Sequence, residues 1–200
     1  MEKGVSTFEL NRQFFHLFLG LMIVVLLLYG IIDKKAILSI IIVGFILSYL
    51  SRIMKLPIIH KLLLKFERKE DLNKFPGKGM IFYFIGCYLA LLLFSKDIAM
   101  ASIMVLALGD SISHIFGVHY GKTRTFLSKT KFLEGTIAGL MAGFIGALVF
   151  LPWKEAFFAS LAAMIVETIE VKIGARQVDD NIVVPIVAGA TIWVLRWTNV

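Results

Sequence analysis

Apolar residues in this chain come in long runs, and short clusters of charge separate them. Crossing the hydrocarbon of a bilayer takes roughly 20 mainly apolar residues in helical form. The pattern therefore predicts membrane-spanning helices over 14–32, 36–51, 79–95, 97–119, 132–152, 155–171 and 182–198. The expected fold class is all-α: a polytopic integral membrane bundle of about seven transmembrane helices, forming one domain over residues 1–200. The first run, Phe14 to Ile32, exceeds a signal-peptide core and has no small-residue cleavage site before Asp33-Lys34-Lys35, so it is expected to remain as a helix.

The longest polar connection carries its own periodicity. Ile59, Leu62, Leu63 and Phe66 fall on one helical stripe, flanked by Lys55, Lys61, Lys65, Arg68 and Lys69. This predicts an interfacial amphipathic helix over about 55–70, with its apolar face down and its cations at the level of lipid phosphates. Phe75-Pro76-Gly77-Lys78-Gly79 then breaks the pattern and allows a tight entry into the third span.

Composition agrees with the pattern. Hydrophobic residues make up 58% of the chain and charged residues only 18%, more apolar surface than a soluble domain of 200 residues can hide. With so much length spent in the membrane, chemistry must be done by helix ends and loops. The net charge of +7 does not point to nucleic acid, because the basic residues sit between apolar runs, as they do beside anionic headgroups. With seven spans, 16 of the 21 Lys and Arg residues fall on the side that holds residues 1–13, 52–78, 120–131 and 172–181. The positive-inside rule predicts that this side, with the N-terminus, is cytoplasmic. Cys87, the single cysteine, lies in an apolar run and excludes an internal disulfide or a cysteine metal site.

An acid inside a span is costly and marks function by default. Asp110 follows a run that is apolar from Ile98 to Leu108. Ser113, His114, Gly117 and Gly121 follow it on the same helical face, a polar stripe descending to the basic side. A buried acid gluing the bundle is the competing reading. The next connection is dense in cations, with Lys122, Arg124, Lys129 and Lys131 ahead of Glu134-Gly135-Thr136 at the start of the fifth span. Glycines, lysines and a helix N-terminus together favour phosphate. Glu134 is also favourable there simply as a first-turn carboxylate. Gly117-Val118-His119-Tyr120-Gly121-Lys122-Thr123 is not a P-loop: it has three residues between the glycines where that pattern needs four, and it follows a membrane helix.

Gly135, Gly139, Gly143 and Gly146 recur near every fourth residue and read as a close-packing stripe, with Gly135 alone near a ligand. Glu167 and Glu170 lie one turn apart, before Asp179-Asp180-Asn181; carboxylates and an amide oxygen are hard ligands suited to Mg²⁺. At the front of the chain, Glu9, Arg12 and His16 share one helical face, as an ion pair or a phosphate grip.

These motifs, taken in order, carry a family resemblance. Glu9-Leu-Asn-Arg12-Gln-Phe-Phe-His16 resembles the E-x-x-R-K-x-x-H of the dolichol kinase and phytol kinase group, which includes CTP-dependent diacylglycerol kinases. Gly109-Asp110 through Gly117 to Gly121-Lys122 is similar to the group's G-D-x-x-A-x-x-x-G-x-x-x-G-K. Lys129-Thr130-Lys131-Phe-Leu-Glu134-Gly135-Thr136 resembles its K-[ST]-x-E-G-[ST], spaced one residue wider, and Glu167 through Asp180-Asn181 and Pro185 its E…D-N-x-x-x-P. Gln13 stands where the group has lysine, and Ser113 where it has alanine.

The resemblance implies transfer of the γ-phosphoryl of CTP to a membrane-embedded isoprenoid alcohol of the dolichol or polyprenol type, with Mg²⁺. It implies Arg12, Lys122, Lys129, Gly117, Gly121, Gly135 and Asn181 around nucleotide and phosphate, and Asp110, Asp180 and Glu170 around the metal. Asp110 or Glu134 accepts the alcohol proton, with Glu9, His16 and Glu167 in support. The enzyme alternative is a cytidylyltransferase forming a CDP-lipid, whose C-terminal signature is not found here. The non-enzyme alternative is a small proton- or cation-coupled transporter using Asp110. No inverted repeat is evident between the halves, and the acids crowd one end rather than the midplane where transporter sites lie.

Overall fold

The computed structural model describes residues 7–54, 56–67, 69–128, 130–169, 172–173 and 176–198, and the chain they trace is helical almost throughout. α1 (Thr7–Leu28) and α2 (Lys34–Ile53) are joined by a turn in which Gly30 adopts a positive φ of 68°. Asp33 caps α2, its carboxylate accepting from the Ala36 amide at 2.9 Å. The short α3 (Pro57–Phe66) and α4 (Lys69–Lys74) follow. The predicted interfacial helix is therefore shorter than 55–70, and Lys55 and Arg68 lie outside the described residues.

α5 spans Lys78–Leu93 and α6 spans Lys96–Met104. α6 continues without a break through a π-helical stretch, Val105–Asp110, into α7 (Ser111–Tyr120). α8 (Leu133–Ala147), α9 (Trp153–Ile169) and α10 (Asp180–Trp197) complete the bundle. Between α9 and α10, Lys172–Ile173 pairs antiparallel with Arg176–Gln177 in a two-residue ladder.

Among the described residues, four helical segments are long and apolar enough to cross a membrane: Phe8–Leu28, Lys34–Ile53, Lys96–Tyr120 and Asp180–Trp197. α5 and α8 are apolar but have only 16 and 15 residues, and α9 has 17. The expected run 132–152 is cut short because the chain leaves the helix after Ala147, ahead of Pro152.

The Lys96–Tyr120 segment is the axis of the bundle, 72% buried, whereas Lys34–Ile53 is only 17% buried and reaches the others mainly through α5. Ile23, Ile103, Leu106, Met164 and Ile192 pack fully buried around that axis. Large apolar side chains such as Phe18, Val25, Ile42, Ile46 and Ile145 point outward, as lipid-facing positions do. At one end, the Arg196 guanidinium donates to Asp97 at 2.7 Å and to Glu155 at 3.0 Å, tying the end of α10 to the starts of α6 and α9. The ionisable groups singled out above gather at the other end.

Candidate active site

The π-helical stretch ends on Asp110. One wide turn inserts extra backbone into an otherwise regular helix and re-aims the side chains after it, which is why such turns concentrate at functional sites. Its surroundings explain how it is tolerated. A Cβ on Gly109 would lie 2.9 Å from Met164 Cε, and one on Gly139 would lie 2.6 Å from the Gly109 carbonyl oxygen. Added at Gly143, it would lie 2.6 Å from Ser160 Oγ. The glycine stripe of α8 is thus a packing device that lets α8 press against α7, the π turn and α9.

That packing brings three carboxylates together. One oxygen from each of Asp110, Glu167 and Asp180 lies within 4.8 Å of the others. Glu167, at the end of α9, is buried; Asp110 and Asp180 are half-buried. Lys131 reaches this cluster from the loop between α7 and α8, bonding Glu167 and standing 3.8 Å from Asp180. Burial by itself would lower the Lys131 pKa, but the charges of Glu167, Asp110 and Asp180 outweigh it and hold the ammonium above the usual lysine range. Lys131 thus brings positive charge to two of the three carboxylates, Glu167 and Asp180. The donor set also fits a divalent metal ion of the Mg²⁺ type.

The loop is shaped to deliver Lys131. The Thr125 amide donates to the Lys131 carbonyl at 3.1 Å, and the Leu133 amide to the Thr123 carbonyl at 2.9 Å, closing the loop on itself. Ser128 Oγ accepts from the Thr130 and Lys131 amides at 3.1 and 3.3 Å. The Arg124 guanidinium lies over the Phe132 ring at 5.3 Å.

α1 supplies the opposite wall. Glu9 is bonded by Arg12, Gln13 Nε2 at 3.3 Å and His114 Nε2 at 2.8 Å, so it fixes three side chains and ties α1 to α7. Gln13 is buried, and among the described residues its Oε1, like Asn181 Oδ1 across the site, has no hydrogen-bond partner. On the Asn181 side, the Asp179 carboxylate caps α10, accepting from the Asn181 amide at 3.2 Å and from its side chain at 2.7 Å.

Between these walls lies a cavity of about 490 Å³, within the usual range for small-ligand sites. Arg12, Lys78 and Lys131 line it with positive charge, and Asp110, Asp180 and Glu67 with negative charge. A second cavity of about 250 Å³ adjoins it and is walled mainly by apolar side chains of α1, α2, α3 and α5. Arg12, His16, Glu67 and Gly79 line both.

Of the residues expected from sequence, Arg12, His16, Asp110, Gly117, Asp180 and Asn181 line the polar cavity, with Glu167 and Glu9 directly behind it. Four others do not line the cavity. The Glu134 carboxylate accepts from the Thr123 amide at 3.0 Å and so braces the loop. Lys122 is exposed on that loop and does not line the cavity. Gly121 packs against Phe132, and a Cβ on Gly135 would lie 2.5 Å from the Ser113 carbonyl oxygen, so both allow close approach of the chain. Lys129 and Glu170 lie outside the described residues.

Sequence reasoning gave no site role to Lys78, Glu67 or Asp71, and named Lys131 only among the cations of a phosphate-favouring loop. Lys131 had a signal, since it belongs to the same basic motif as Lys129. Glu67 had none, sitting among the flanking charges of an amphipathic stretch.

No protein-family model matches the chain, and no solved structure matches it. Several curated proteins do. An uncharacterized protein of Methanocaldococcus jannaschii is 32% identical over 186 residues, covering 90% of each chain. The CTP-dependent diacylglycerol kinase 1 of Saccharomyces cerevisiae is 26% identical over 152 residues, 73% of this chain and 51% of the yeast protein. A probable chloroplastic phytol kinase 1 of Glycine max is 29% identical over 126 residues, 54% of this chain and 41% of the plant protein. The chain thus matches about half the length, or less, of these named kinases.

Proposed function

This chain belongs to the same family as the uncharacterized Methanocaldococcus jannaschii protein, and from that premise we propose that it is a membrane phosphotransferase. It moves the γ-phosphoryl group of CTP to a long-chain isoprenoid alcohol of the dolichol or polyprenol type, leaving CDP. Similarity to proteins named as CTP-dependent diacylglycerol kinases and phytol kinases supports CTP as the donor and a lipid alcohol as the acceptor.

The observation that carries this reading is the pairing of opposite charges in one cavity that shares Arg12, His16, Glu67 and Gly79 with an apolar one. Phosphoryl transfer asks little covalent chemistry of a protein; positioning and charge neutralisation do most of the work. Arg12, Lys78 and Lys131 are the cations for the triphosphate. Asp110, Glu167 and Asp180 are the residues that would hold Mg²⁺, which when bound neutralises phosphate oxygens. In the transfer, the alcohol oxygen forms a bond to the γ-phosphorus and the bond to the β–γ bridging oxygen breaks, its electron pair leaving with CDP. The alcohol proton passes to a cavity carboxylate, Asp110 in our assignment. The active face is the cytoplasmic one, on the basic asymmetry of the loops.

The test is a matrix of purified protein with CTP, ATP, GTP or UTP against polyprenol, geranylgeraniol and diacylglycerol. CTP with an isoprenoid is the expected pair. A preference for ATP overturns the donor, and a preference for diacylglycerol over every isoprenoid overturns the acceptor.

A further inference from the structure

We propose that the apolar cavity between α1, α2, α3 and α5 holds one hydrocarbon chain of the lipid alcohol, so that its hydroxyl emerges where the two cavities meet. The identity of that alcohol rests on the kinase reading above; the chain site itself does not.

The stripe of α3 that reads as membrane-facing in sequence, Ile59, Leu62, Leu63 and Phe66, lines this cavity. α3 is held there by Phe15 of α1, whose ring packs on Phe66 with centroids 4.7 Å apart. The other walls are Leu47 and Ser48 of α2 and Met80 and Ile81 of α5. Gly77, at a positive φ of 78°, turns the chain from α4 into α5 and leaves that wall close to α3.

Size selects the occupant. At about 250 Å³ the cavity falls below the roughly 300 Å³ where sites enclosing a whole small ligand begin. It takes a stretch of one chain and leaves any second acyl chain outside. Because a lipid tail moving from bilayer to pocket exchanges one apolar environment for another, burial adds little affinity. What the cavity adds is position: it fixes how far the head of the molecule projects.

The neck between the cavities supports that role. It is formed by Arg12, His16, Glu67 and Gly79. A Cβ on Gly79 would lie 3.9 Å from Glu67 Oε1 and 4.0 Å from His16 Nε2, so a single methyl group there touches both sides. A polar boundary between an apolar and a charged chamber suits an amphiphile with a small hydroxyl head.

Ser51 provides the probe. It lines the apolar cavity, and among the described residues its hydroxyl has no hydrogen-bond partner, so replacing it sacrifices none. Ser51→Cys in a Cys87→Ser background, in phosphatidylcholine nanodiscs, should react with maleimide at least about tenfold more slowly when geranylgeraniol is present, a change worth about 1.4 kcal/mol. CTP alone and a five-carbon prenol should leave the rate unchanged. No slowing by geranylgeraniol, or equal slowing on adding more phosphatidylcholine, overturns the proposal. Should Ser51→Cys fail to fold, Ser51→Phe is the second variant. It should raise the KM for geranylgeraniol about tenfold with the KM for CTP unmoved, and an unmoved geranylgeraniol KM overturns the site. Protection without any phosphoryl transfer by the wild-type protein supports the chain site and removes the kinase reading; transfer without protection does the reverse.

Discussion

Lys131 is bonded to Glu167, a carboxylate sealed from solvent at the end of α9, and through it a loop between two helices is locked to a third. Breaking such a pair from one side leaves an uncompensated buried charge, at a cost of about 3–5 kcal/mol. Lys131→Met should therefore lower the apparent Tm of the detergent-solubilised protein sharply. The double variant Lys131→Met, Glu167→Gln should recover much of that loss while remaining inactive, because the cation for phosphate is still missing. A Lys131→Met protein that melts like wild type would show that the pair does not hold the loop.

Asp110 closes the π turn and belongs to the carboxylate group. Asparagine keeps its shape and removes its charge. Asp110→Asn should be extracted at near-normal yield and retain less than about a tenth of the activity, a barrier increase above roughly 1.4 kcal/mol. Retention of most of the activity would make Asp110 a bundle hydrogen-bonding residue only.

Glu134 gives the opposite expectation. Its carboxylate accepts from a loop amide and does not reach the cavity. Glutamine keeps an acceptor oxygen, so Glu134→Gln should cost about threefold in kcat/KM, the size of one weakened hydrogen bond. A loss of about a hundredfold or more would return Glu134 to the chemistry.

The side of the membrane is open to direct test. Single cysteines in the 120–131 loop, on a Cys87→Ser background, should resist impermeant thiol reagents in intact cells and react after lysis. Labelling in intact cells would reverse the orientation.

The helical runs were legible because a hydrophobic period survives any packing, and Asp110, Asp180 and Arg12 were legible because lipid makes misplaced polarity conspicuous. Helix length was less so: α8 ends where Pro152 and a turn intervene, and apolar loop residues disguise the stop. The π turn left no local signal, and the close packing of Gly109 on Gly139 of α8 is a tertiary feature. Glu134 looked chemical because its motif is dense, and only the loop's closure reveals what it binds. Glu67 was invisible because nothing in its neighbours says that α3 folds back onto α1.

The central claim is transfer of one phosphoryl group from CTP to a membrane alcohol. Purified protein, [γ-³²P]CTP and polyprenol in mixed micelles should yield a labelled polyprenyl monophosphate and stoichiometric CDP, with Asp110→Asn as the blank. Release of labelled pyrophosphate with cytidine appearing in the lipid would instead make the protein a cytidylyltransferase, and no label in any lipid would contradict the account.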